Sequence, residues 1–193
     1  HGGKSMHAPA IADRIEILVL VDNATDSLST APEFVETEFR RLWRRGGRVL
    51  SGPCLCCAAH GFSCAITAWR GGVSRTFLFD TGPDAAGFER DRERLGVGNG
   101  AAGGLVPSRG ARGAMMLSHG HWDHGGAMLR ALDMAQARNG GRAIPTYMHP
   151  DMYRTRATRT PDGSMHLFDD VPGAAALEAH GARVVHAKDA LLA

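Results

Sequence analysis

Apolar positions in this chain fall into short runs separated by amphipathic and glycine-rich stretches. Residues 14–21 (RIEILVLV) are apolar and β-branched, which predicts a strand, and the polar pair Asp22-Asn23 ends it in a turn. Over residues 32–45, Val35, Phe39, Leu42 and Trp43 recur at helical spacing with Glu and Arg on the other face. Gly46-Gly47 stops that helix. Residues 63–69 and 76–79 predict two strands joined by a Gly71-Gly72 turn, the second running into Asp80-Thr81-Gly82. Residues 85–95 form a charged helix, and the glycine-rich stretch 96–113 reads as a flexible linker with little to pack. A short buried strand over 114–117 leads into a polar, histidine-rich turn, then a helix from about 126 to 138. A strand over 144–148, a short helix over 174–179 and a last strand over 183–186 complete the pattern. Strands alternating with helices after an early hairpin predict an α/β protein built in layers. There is no internal repeat.

Composition narrows this picture without redirecting it. The chain has 193 residues, 44% hydrophobic and 22% charged, the balance of one folded domain rather than a disordered or fibrous chain. A formal net charge of +2 gives no reason to expect nucleic acid as a partner. The longest apolar run, residues 15–21, is interrupted by Glu16 and is too short to span a bilayer, so no membrane association is expected. His1-Gly2-Gly3-Lys4-Ser5 reads as a tag remnant, leaving residues 6–193 as a single domain with Met6 as its start. No signal-peptide pattern opens the chain, and its four cysteines fall between Cys54 and Cys64. Reduced thiols in the cytoplasm are the expectation. Cys54-Leu55-Cys56-Cys57 reads as C-x-C-C with no second cysteine pair elsewhere, which favours structural thiols over metal or redox chemistry. The basic run Arg40-Arg41-Leu42-Trp43-Arg44-Arg45 reads as a solvated helix face, with an anionic contact as its alternative.

The segment that changes the picture is Ser118-His119-Gly120-His121-Trp122-Asp123-His124-Gly125-Gly126. Three imidazoles and one carboxylate lie within six residues, between a predicted strand and a predicted helix. Imidazole and carboxylate are the usual ligands of zinc and related divalent metals. The His-x-His spacing lets two side chains at a turn point the same way, with Asp123 and His124 reaching a second point. That arrangement suits two metals roughly 3.5–4 Å apart, a geometry used in hydrolysis. Gly120, Gly125 and Gly126 permit the tight backbone this needs. Ser118 lacks a Gly-x-Ser-x-Gly elbow, and a serine nucleophile is not expected. Trp122 reads as a packing residue beside the metals, or else as a platform for substrate.

His119-x-His121-x-Asp123-His124 resembles the HxHxDH signature of the metallo-β-lactamase superfamily. The order and spacing of Val21-Asp22-Asn23, His60-Gly61-Phe62-Ser63, Leu78-Phe79-Asp80-Thr81-Gly82 and residues 117–126 are similar to one branch. That branch is named for 7,8-dihydropterin-6-methyl-4-(β-D-ribofuranosyl)-aminobenzene-5′-phosphate synthase. The likeness covers roughly residues 15–185. It implies an αββα sandwich with the metals at one edge of its two sheets, the chain holding mostly the N-terminal half. It also implies that His119 and His121 hold a first metal and Asp123 and His124 a second, with zinc expected and manganese or iron as substitutes. Asp80 would lie beneath the site and orient a ligand, Asp22 and Asn23 would lie near the rim, and His149 would border the pocket. His166 in a loop, His180 at a helix end and His186 in a strand are expected to serve surface or packing roles.

The superfamily takes further ligands from a later segment, and the chain ends at Ala193 before one, so the domain reads as C-terminally incomplete. An apolar sheet face would then stand open, to be covered by missing residues, a homo-oligomer partner or a second chain. The function expected is a metal-dependent hydrolase in which Asp123 steers a metal-activated water toward a small-molecule substrate, an ester, lactone or phosphoester. The alternative, motivated by the missing ligands, is a non-catalytic metal-binding or interaction module.

Overall fold

A computed structural model of the chain describes residues 11–26, 29–48, 51–97 and 113–188. The strand β1 (Arg14–Val21) pairs antiparallel with β2 (Ser63–Arg70), and β2 pairs antiparallel with β3 (Val73–Phe79). The β2–β3 turn uses Gly71 and Gly72 with φ of 56° and 79°. Two successive positive φ values give the turn a twist that matches the strands it joins. The next two strands, β4 (Ala114–Met116) and β5 (Ile144–Met148), add in parallel. A separate two-stranded hairpin, β6 (Ala157–Arg159) and β7 (Met165–Leu167), follows. The chain then returns as β8 (Ala182–His186), parallel to β5. The result is a six-stranded mixed sheet of order β1-β2-β3-β4-β5-β8.

Among the described residues five α-helices accompany it: α1 (Glu38–Arg44), α2 (Ala85–Leu95), α3 (Trp122–Gly125), α4 (Met128–Asn139) and α5 (Ala174–Ala179). In α4, Met128, Ala131, Leu132 and Ala135 recur at helical spacing and are buried, and in α2 Phe88 and Leu95 do the same. These side chains form one core with Leu20, Ala65, Leu78, Met115, Ile144 and Met148 from alternate strand positions, and with Leu177 of α5. The strand register puts Ile17, Ile66 and Phe77 in one row of the opposite face. Val19, Cys64, Phe79, Met116, Tyr147 and Val185 form the next row. On that face Ile15 is 61% exposed and Ile17 62%. The described residues therefore make one layer of strands with its main helical layer on one side, a mixed α/β arrangement. No helix among them is long and apolar enough to cross a membrane.

The sequence pattern and the elements agree closely at β1, α2, β5 and α5, and differ elsewhere for identifiable reasons. The helix expected from residue 32 starts only at Glu38, because Thr37 caps it, its Oγ1 accepting from the Arg40 N–H at 3.4 Å. No residue of α1 is buried: Phe39 and Trp43 pack on each other at 6.1 Å, and Phe34 lies outside the helix, 89% exposed. The helix expected from about residue 126 is split, with α3 beginning at Trp122 inside the histidine segment and α4 at Met128. The β6–β7 hairpin was not anticipated from its three-residue strands, and it places His166 on a strand rather than in a loop. Its signal is the turn Thr160-Pro161-Asp162-Gly163-Ser164, where the Ser164 N–H bonds the Asp162 carboxylate at 3.0 Å. Of the glycine-rich stretch, Gly96 closes α2 in a left-handed conformation and Val97 is buried, so its opening packs rather than floats. Residues 98–112 and the supposed tag at 1–5 lie outside the described residues.

Candidate metal centre

The centre begins where β3 ends. Asp80 takes a left-handed backbone (φ 57°), unusual for a residue other than glycine, and its side chain is buried. Its N–H bonds the Met116 carbonyl of β4 at 2.9 Å, and its carbonyl accepts from Ser63 Oγ of β2 at 2.9 Å. The next residues pair with the histidine segment. The Thr81 N–H bonds the His124 carbonyl at 2.8 Å, and the Gly126 N–H bonds the Gly82 carbonyl at 3.0 Å. Two distant stretches are thus stitched edge to edge, which sets Asp80 under His124.

A buried carboxylate must find donors, and Asp80 has three. Oδ1 accepts the Ser118 N–H at 2.7 Å. Oδ2 accepts both the Ser118 hydroxyl and His124 Nδ1–H at 2.7 Å. Having given its proton to Asp80, the Ser118 oxygen accepts from His119 Nδ1–H at 2.9 Å. This chain of bonds assigns tautomers: His119 and His124 both carry their proton on Nδ1, which leaves each Nε2 with a lone pair, that of His119 in hydrogen-bond contact with His121 Nδ1. Burial, then the neighbouring His124 and His121, pulls His119 below the usual imidazole range, toward the neutral form a metal requires.

The candidate donor atoms fall into two pairs. His119 Nε2 lies 3.1 Å from His121 Nδ1, and His124 Nε2 lies 3.5 Å from Asp123 Oδ2. Two ligand atoms on one tetrahedral zinc with bonds of 2.0–2.1 Å stand about 3.3–3.4 Å apart. Both pairs therefore fit the edge of such a coordination shell. The His119 ring is close to both partners, at 4.5 Å from His121 and 4.2 Å from His124 between centroids. Among the described residues, no three His, Cys, Asp or Glu side chains converge to hold one ion by themselves. The donor chemistry fits zinc, with two ligands offered at each of two points.

The glycines of the segment work by close approach rather than by unusual φ. A Cβ on Gly126 would sit 1.8 Å from the Pro83 carbonyl oxygen, and one on Gly120 would sit 2.1 Å from that of Met152. Gly120, Gly125 and Gly126 all lack positive φ, whereas Asp80 and Gly82 are left-handed.

Four of the expected residues, His119, His121, Asp123 and His124, are thus brought together with Asp80 beneath them. Asp22 and Asn23 are exposed. Asp22 acts locally, its carboxylate accepting the Asn23 N–H at 2.7 Å and its carbonyl the Ala59 N–H at 2.9 Å. His149 caps the short turn after β5, its Nδ1 accepting from the Asp151 N–H at 3.1 Å. That turn carries Met152, whose carbonyl lies over Gly120, so His149 stands near the segment while its Nδ1 is occupied. His180 pairs with Asp133, and His186 with the Tyr153 hydroxyl.

Cys56 and Cys57 lie against α1 and α2: the Cys56 N–H bonds Glu38 at 2.6 Å and the Cys57 N–H bonds Asp91 at 2.8 Å. All four thiols are free, and burial pushes those of Cys56 and Cys64 up, away from reactive thiolate. In the basic run, Arg41 and Arg44 pair with Glu36, while Arg41 and Arg45 donate to the Leu95 carbonyl at the end of α2.

No protein-family model matches the chain, and no curated protein matches it either. Function is therefore read from these residues.

Proposed function

We propose that the chain is a metal-dependent hydrolase of the metallo-β-lactamase superfamily, holding one or two zinc ions on His119, His121, Asp123 and His124. The observation that supports this reading is the bond chain from Asp80 through Ser118 and His124, which turns the Nε2 lone pairs of His119 and His124 toward His121 and Asp123. Metal-ligating histidines commonly give their other ring N–H to a carboxylate in this way. Manganese or iron would suit the same donors. The strand layer with helices on one side, and apolar residues on the other, is what half of an αββα sandwich would present.

When bound, the metals supply a hydroxide at neutral pH and polarise the bond under attack. The chain's own residues do the rest. Asp80 keeps the His124 ring from turning. Ser118 relays that constraint to His119. Asp123, half-buried with one oxygen 3.5 Å from His124 Nε2, would take a proton from the attacking water and aim it. Esters, lactones and phosphoesters all share the carbonyl or phosphoryl oxygen this chemistry needs.

Metal analysis of the purified protein, with hydrolysis assays on an aryl ester, a lactone and an aryl phosphoester, tests the proposal. His121→Ala and Asp123→Ala are expected to lose bound zinc and to lower turnover at least 100-fold. Full activity in both variants would remove the idea. The second reading is a metal-binding or interaction module without turnover. It draws on the absence, among the described residues, of any three converging donors. Zinc uptake with no hydrolysis across the three substrates would favour it.

A further inference from the structure

The loop before β2, His60-Gly61-Phe62, is fastened against α3. The Ala59 N–H bonds the Asp22 carbonyl at 2.9 Å, and the Phe62 carbonyl accepts the Gly82 N–H at 3.0 Å. Between these ties Gly61 has φ +127°, and a Cβ there would lie 2.0 Å from the Asp123 carbonyl oxygen. Only glycine satisfies both conditions. The loop thus meets the backbone of α3 at Asp123, and the adjoining side chains, His60 on the loop and Trp122 on the helix, stand together. Their ring centroids are 5.9 Å apart and their planes are inclined by 37°. The pair borders the centre, with His60 Nε2 3.5 Å from Asp123 Oδ2.

Core packing does not account for this indole. Among the described residues Trp122 is half-buried without joining the core or the half-buried apolar side chains packed on it, such as Leu18, Leu129 and Tyr153. Its backbone is fixed, since Trp122 opens α3 and its carbonyl accepts the Gly126 N–H at 2.9 Å. The His60 side chain is 74% exposed, so the two rings are open to solvent at the margin of the centre. A flat aromatic group laid on such rings gains more than its buried area alone provides. Resting on the metal-centre reading above, we propose that His60 and Trp122 form a binding platform for a planar aromatic group of the substrate. The ring would lie one or two bonds from the carbonyl or phosphoryl under attack, which narrows the substrate class to aromatic esters and phosphoesters. The competing explanation is a surface contact in which His60 only offsets the Asp123 charge, which needs no ring.

Two probes separate these explanations: 2-naphthoate and its saturated counterpart decahydro-2-naphthoate, alike in carboxylate and carbon skeleton but not in flatness. Each is titrated by calorimetry into zinc-supplemented wild type, His60→Ala, His60→Phe, Trp122→Leu and Trp122→Phe, all checked for native circular dichroism. The platform predicts that the wild type prefers 2-naphthoate by about 5-fold or more. His60→Ala and Trp122→Leu should bring the two affinities within about twofold, while the Phe variants, which keep a ring, should retain the preference. In the wild-type protein 2-naphthoate should also shift the Trp122 indole N–H and the His60 ring resonances. Equal wild-type affinities, a preference unchanged in His60→Ala and Trp122→Leu, or no binding of either probe would overturn the platform. Ring-selective binding without hydrolysis of methyl 2-naphthoate or 2-naphthyl phosphate would overturn the hydrolase reading and leave the platform standing. Ring-selective binding by a protein that takes up no zinc would overturn the metal centre alone.

Discussion

Asp80 shows how much chemistry one residue settles. Its carboxylate is buried, satisfied by three donors, and held on a left-handed backbone. Asparagine tolerates that backbone and can still accept the Ser118 N–H through its oxygen. It would, however, turn an amide NH2 toward His124, forcing the ring to accept at Nδ1 and carry its proton on Nε2. Asp80→Asn should therefore keep near-native stability in urea yet bind zinc 10- to 100-fold more weakly by titration. Asp80→Ala should lose both, because it adds backbone strain of roughly 1–2 kcal/mol and strands the buried donors. Equal zinc affinity in wild type and Asp80→Asn would show that the tautomer assignment is wrong.

At the scale of elements, α2 carries an unusual stripe: Phe88, Asp91, Arg92 and Leu95 all lie on its buried side. Asp91 is 1% exposed and its carboxylate accepts the Cys57 N–H, which ties the cysteine loop to the helix. Burial lifts its pKa to about 6 from the ordinary 3.8, against the opposing pull of the Cys57 N–H. The sign follows from proton binding. Between those values the folded state holds the proton that the unfolded state releases, so stability falls as pH rises from about 4 through 6. Asp91→Asn keeps an acceptor for Cys57 and removes the titration. Its advantage over wild type should be small at pH 4 and grow to on the order of 2–3 kcal/mol at pH 7.5. Urea unfolding at the two pH values measures this, and a constant difference between them would refute it. The stripe also shows why α2 reads from sequence only as a charged helix. A buried Asp and Arg look like solvent-facing residues until the loop they serve is in place.

For the whole molecule, the sheet presents Ile15, Ile17 and Val19 to the outside while Leu20 and Val21 enter the core. Residues 17–21 are apolar on both faces, so the pattern there signals a strand covered on both sides. Contiguous exposed apolar surface favours association. Replacing Ile17 and Val19 together by Thr keeps β-branched residues on the strand. Because both are already exposed, stability should change by less than about 1 kcal/mol. Binding of a hydrophobic fluorescent dye should fall, and sedimentation velocity should show less self-association. Unchanged dye binding would mean that this face is not the accessible one.

Local chemistry was legible in the sequence because its causes are local. Three imidazoles and a carboxylate fall within six residues, residues 85–95 read as a helix ending at the glycine-rich stretch, and Gly71-Gly72 turns the β2–β3 hairpin. Each of these needs only neighbours along the chain. The placement of Asp80 beneath the cluster entered the reading through family resemblance, not spacing. It depends on β3 and β4 lying parallel, which brings Ser118 and His124 to it across 38 and 44 positions. The approach of His60 to Asp123 depends on a backbone contact at Gly61. The exposure of α1 and the burial of Asp91 likewise depend on which surfaces the other elements cover. Periodicity records which residues share a face, but the partner of that face is set by strand order and crossover packing, which only the tertiary structure fixes.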